Sequence, residues 1–98
     1  MQQAHIHLIE YAIATGHKLA VYDGGEWAIK RSTDINAILD VVDSVEQSTI
    51  EIRDTDNKIV GMAVVLLDYQ QQPDETIINH TLTPFMEAWD NDYVATAY

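Results

Sequence analysis

Residues 49–68 read TIEIRDTDNKIVGMAVVLLD, and this stretch decides the fold. Thr49 to Arg53 and Ile59 to Asp68 are predicted as two strands of a hairpin. Asp54-Thr55-Asp56-Asn57-Lys58 is the turn between them. The later strand is apolar at nearly every position through Val64, Val65, Leu66 and Leu67. A strand apolar on both faces is usually central and covered twice; the alternative is that one face makes a dimer contact.

An earlier pair of strands, Lys18 to Tyr22 and Glu26 to Arg31, flanks Asp23-Gly24-Gly25. That tripeptide suits a tight turn because glycine accepts positive φ. Leu19 and Val21 alternate on one strand, Trp27 and Ile29 on the other.

Helical periodicity fills the intervals. Gln2 to Thr15 places Ile6, Ile9 and Ile13 on one face, and Gly16 sits where helices commonly end. Ser32 or Thr33 can cap a second helix whose apolar face is Ile35, Ile38, Leu39 and Val42, ending near Ser44. Thr83-Pro84 opens a third, Thr as N-cap and Pro at the first helical position. Phe85, Ala88 and Trp89 share its inner face, and Asp92 on that face predicts an end near Asn91. Gln70 to Asp74 reads as a loop, and for Thr76 to Thr81 a short strand and an irregular segment both fit. The order is α-β-β-α-β-β-(β)-α: a single α+β domain over residues 1–98, an antiparallel sheet of two hairpins with about three helices packed on it.

Ninety-eight residues with 47% apolar side chains are enough for one core. The absence of cysteine removes disulfides, thiolate nucleophiles and the usual structural zinc sites. The first residues carry no basic segment of a secretory signal. The longest apolar run, Met62 to Leu67, falls far short of the ~20 residues a membrane span needs. The expected location is the cytoplasm, with no membrane association.

The charge is extreme. Sixteen acids face five bases, a net −11, and no Lys or Arg follows Lys58. Such a chain is repelled by phosphate backbones and anionic lipid, which argues against direct nucleic-acid binding. Its natural complement is a basic protein surface. The acidity also serves solubility.

Catalytic and metal motifs are weak. His5 and His7 are two positions apart, about 200° of helical rotation, so their rings diverge. His5 is expected to border the core and His7 to face water. Asp54-x-Asp56-Asn57 lacks the glycine and terminal glutamate of a calcium loop and reads as an acidic turn whose side chains bond their own backbone. No phosphate-binding glycine loop or nucleophile elbow occurs. The sequence reads as a non-enzyme with no cofactor and no metal.

What remains is acid on exposed helix faces. Asp40 and Asp43 lie together on the second helix, about 4.5 Å apart along its axis; one DNA strand carries a charge every ~3.4 Å. Glu87 and Asp90, with Asp92 behind, lie opposite Phe85 and Trp89 on the third. Tyr93 and Tyr98, near the expected frayed end, add aromatic contacts. The expected partner-binding set is therefore Asp40, Asp43, Glu87, Asp90, Asp92 and Tyr93. By physical class the chain reads as a DNA-mimic-like inhibitor of a basic nucleic-acid-binding protein, of the kind phages and mobile elements use against restriction, CRISPR or repair enzymes. The alternative is a structural or accessory subunit, a homodimer through its apolar strand.

Overall fold

A computed structural model describes residues 3–68 and 71–97; Gln2, Gln70 and Tyr98 lie outside them. The elements are α1 (Ala4–Ala14), β1 (Lys18–Tyr22), β2 (Trp27–Ser32), α2 (Ile35–Asp43), β3 (Gln47–Arg53), β4 (Ile59–Leu66), a 3-10 turn (Pro73–Glu75), β5 (Ile77–His80) and α3 (Pro84–Ala97). The five strands form one antiparallel sheet in the order β2-β1-β3-β4-β5. The α+β class and the order of elements are those expected, and the segment before α3 is a strand.

Register explains the layering. Leu19 pairs with Ile52, Val21 with Ile50, Ile50 with Ala63, and Ile52 with Gly61. Paired residues share a face, so these side chains, with Val65, line one side of the sheet. Leu19, Val21, Ile50, Ile52 and Val65 are fully buried. Burying a branched aliphatic side chain contributes about 1.5–3 kcal/mol, which outweighs the few tenths that separate most residues in helix propensity. The three helices pack on this side, α1 and α2 against β1, α2 also against β2, and α3 against β4.

The opposite side carries Ala20, Tyr22, Thr49, Glu51, Arg53, Met62, Val64 and Leu66. Tyr22, Met62, Val64 and Leu66 are half-buried. β4 is thus an inner strand, between β3 and β5, but among the described residues it is covered by helices on one face only.

Helix ends follow local chemistry. At the end of α1 the Gly16 N–H donates to the Ile13 carbonyl and the His17 N–H to Ala12, with Gly16 at φ 86°. The cap of α2 is Asp34, one residue beyond the expected pair. Its carboxylate accepts from the Asn36 and Ala37 N–H groups at 3.1 and 3.3 Å, while Ser32 accepts from the Asp34 N–H. Thr83 caps α3 as expected: its hydroxyl accepts from the Met86 N–H and donates to the Val60 carbonyl, fastening the helix to β4. In the turns, Asp23 accepts from the Gly25 and Glu26 N–H groups, and Asp54 from those of Asp56 and Lys58.

Two helix faces differ from expectation. On α1 the buried stripe is Ala4, His5, Leu8, Ile9 and Ala12, while Ile6 and Ile13 are only half-buried. This helix touches α2, α3 and β1, so its inner surface is wider and rotated from the isoleucine row. On α3 the buried residues are Met86, Trp89 and Tyr93. That spacing takes Asp92 off the inner face, and the helix continues past Asn91 to Ala97.

Gly61 admits α3. A Cβ there would stand 2.7 Å from Met86 Sδ and 2.8 Å from its Cγ, and Met86 is fully buried. Gly61→Ala should destabilise the protein by about 1–3 kcal/mol through overpacking. The measurement is a denaturant midpoint; an unchanged midpoint would contradict this close approach.

Candidate functional site

The positive charge is confined to the sheet and its turns, while acids are spread over both layers. None of the three helices carries Lys or Arg. Asp40 and Asp43 on α2, and Glu87, Asp90 and Asp92 on α3, are all exposed. The bases gather at one end of the sheet. Lys18 opens β1 opposite Arg53, the last residue of β3. Lys30 and Arg31 come near the end of β2, beside Leu19 and Ala20, and Lys58 lies in the turn after Arg53. All five bases of the chain are accounted for there. The expected acids lie on one layer in two groups, Asp40 and Asp43 on α2 and Glu87, Asp90 and Asp92 on α3, and both helices pack against α1.

The two histidines of α1 hold two of those acids. Their rings diverge as their spacing on the helix requires, and each meets a different neighbouring helix. His5 Nε2 lies 3.1 Å from Asp43 Oδ1 on α2, and His7 Nε2 lies 3.2 Å from Asp92 Oδ2 on α3. A carboxylate only accepts, so each Nε2 carries the proton. The Trp89 indole N–H donates to His7 Nδ1 at 3.0 Å, which fixes the same tautomer from the other side. His7 is thus half-buried in a Trp89–His7–Asp92 chain rather than facing water, and His5 is fully buried rather than bordering the core. The side chains of Asp43 and Asp92 remain 53% and 47% exposed, so both are oriented without being covered. Among the described residues, the side chains of Asp40, Glu87 and Asp90 have no hydrogen bond or ion pair.

Tyr93 is not the exposed contact residue expected but a buried one that walls a cleft. It is 5% exposed, stacked on Trp89 at 5.7 Å and edge-on to His7 at 5.1 Å. The expectation failed because α3 does not fray there: Tyr93 falls four residues after Trp89, on the same buried stripe. Beside it, a cleft of about 220 Å³ opens between α1, β5 and α3, walled by Ile77, His80, Trp89 and Tyr93, with Asp90 as its one carboxylate. An aromatic cleft bearing one acid matches the stem and charge of a Lys or Arg side chain.

No family model, no curated protein and no solved structure matches this chain. Among the described residues no helix is long and apolar enough to cross a membrane, and no three His or acidic side chains converge as a metal ion would require.

Burial lowers the His5 pKa from its ordinary 6.5, more than its hydrogen bond and charge contact with Asp43 raise it. Its Nδ1 is buried with no partner among the described residues. The unfolded state therefore takes up this proton more readily than the folded one. The stability tied to neutral His5 is complete above pH 6.5 and declines as the pH falls toward the folded-state value. His5→Leu should remove that part of the slope of unfolding free energy against pH. Identical slopes in the two proteins would show that His5 is not held neutral.

Proposed function

We propose that this chain acts by binding rather than catalysis, as an acidic module whose helix layer docks on a basic, nucleic-acid-handling protein. The carrying observation is the segregation of positive charge: three adjacent helices bear acids and no Lys or Arg, while every Lys and Arg sits at one end of the sheet. A partner meeting the helix layer encounters no cation to repel it. His5 and His7 hold Asp43 and Asp92 in fixed orientation at the flanks of α1, which lowers the ordering cost of binding. The cleft beside Asp90 receives a basic side chain of the partner. The contact set becomes Asp40, Asp43, Glu87, Asp90 and Asp92. A phage or mobile-element inhibitor that mimics DNA is the biological setting this chemistry fits best.

Asp40, Glu87 and Asp90 are the clean probes, because they are exposed and their carboxylates make no hydrogen bond or ion pair with the residues described. Affinity purification from a lysate at low and high salt should capture a DNA-binding protein that added DNA displaces. Asp40→Lys/Glu87→Lys/Asp90→Lys should weaken that capture at least about tenfold and flatten its salt dependence, as loss of a complementary charged surface does. Unchanged capture by the triple variant would overturn the reading.

The second reading is a homodimer through the outer sheet face. It is favoured by the half-buried Tyr22, Met62, Val64 and Leu66 and the 42% exposed Trp27 on that face. Sedimentation should then find a salt-insensitive dimer, and a monomer at micromolar concentration would exclude it.

A further inference from the structure

On the outer sheet face a cavity of about 200 Å³ is lined by Ala20, Trp27, Arg31, Glu51 and Arg53. Four locally unfavourable features converge on it. Arg31 is the extra residue of a β-bulge between the pairs Leu19–Ser32 and Ala20–Lys30, and its φ is 117°. Glycine is the residue suited to such a conformation; any other is strained there. The Arg31 side chain makes no ion pair or hydrogen bond among the described residues, in a chain with sixteen acids. Glu51 is 4% exposed although it lies on the uncovered side of the sheet. It accepts from Arg53 Nε at 2.5 Å, and Arg53 also donates to the Asn57 carbonyl. Trp27, opposite Tyr22 in the register, leaves its large ring 42% exposed.

Strain, a buried carboxylate on an uncovered sheet face, an unused guanidinium and a bare indole are each explained if a ligand uses them. We propose that this cavity binds a single carboxylate borne on a flat apolar group. The free guanidinium of Arg31 is the bidentate donor to the carboxylate. Trp27 supplies a stacking surface, and Ala20, buried and small, leaves room beneath the ring. The Glu51–Arg53 pair holds the wall in place: with Arg53 committed to Glu51 and Asn57, Arg31 is the cation left for the ligand. The size suits a small aromatic acid or one terminal side chain, being below the ~300 Å³ at which most ligand pockets begin. A polyanion is disfavoured by the net −11, whereas a monoanion meets the one region where the bases gather.

The test is an NMR titration of the full chain with benzoate, with benzamide, and with a short blocked peptide ending in phenylalanine as free acid or amide. Benzoate or the acid peptide should shift the Trp27 indole and Arg31 guanidinium resonances saturably, with Kd of about 1 mM or below, and the neutral analogues should bind at least about tenfold more weakly. Tighter binding of the peptide assigns the carboxylate to a protein chain end; tighter binding of benzoate assigns it to a free acid. Arg31→Gly should raise the unfolding midpoint, because glycine accepts the positive φ, and lose at least about tenfold in affinity. Arg31→Gln should lose the affinity without the gain in midpoint. No saturable shift at Trp27, or undiminished affinity in both Arg31 variants, would overturn the proposal.

Discussion

Where α3 crosses β4, the missing side chain of Gly61 lets Met86 settle on the sheet, and beside it Leu19, Val21, Ile50 and Ile52 close against α1 and α2. This one-sided burial sets the rest of the molecule. Because every helix packs on the same face, their outer surfaces form one continuous layer, and the sheet keeps a second face free of helices. Positive charge divides along that line: the helix layer carries acids and no Lys or Arg, and every Lys and Arg lies toward one end of the sheet.

The electrostatic arrangement does little to hold the fold together. Exposed like charges three residues apart, as Asp40 and Asp43 are, cost a few tenths of a kcal/mol, small beside the 5–15 kcal/mol typical of a domain. Repulsion on that scale is tolerable, but it brings no stability that would account for its presence. The histidines of α1 offset part of it locally, since each donates to an acid on a neighbouring helix without cancelling its charge. Each imidazole N–H orients its carboxylate and leaves it about half exposed.

Much of the fold was legible because hairpin and cap signals are local. Gly24, Thr83-Pro84 and the alternation of Leu19 and Val21 each specify their own neighbourhood. What escaped the sequence depends on partners far along the chain. The inner face of α1 is set by contact with α2, α3, β1 and the 3-10 turn at once, so the row of Ile6, Ile9 and Ile13 misplaced it. Tyr93 is buried because α3 continues along the sheet, which nothing before residue 93 specifies. The exposure of Asp40, Asp43, Glu87 and Asp90 was legible from the helical wheel, whereas Asp92 was placed on the inner face. Their anchoring by His5 and His7 was not, although the rotation between those residues already sent the rings to different neighbours. The gathering of all five bases required the strand register: Lys18 and Arg53 are far apart in sequence and opposite each other in the sheet.

If the helix layer, and not the sheet, receives a basic partner, a short arginine-rich peptide should find the same surface. The most direct measurement is a residue-resolved NMR titration of the full chain with such a peptide at moderate salt. Saturable shifts are expected, centred on Asp40, Asp43, Glu87, Asp90 and Asp92, extending to the indole of Trp89 and fading as salt rises. Shifts centred on β1, β2 and β3, or spread evenly over every exposed acid of the chain, would contradict docking on the helix layer.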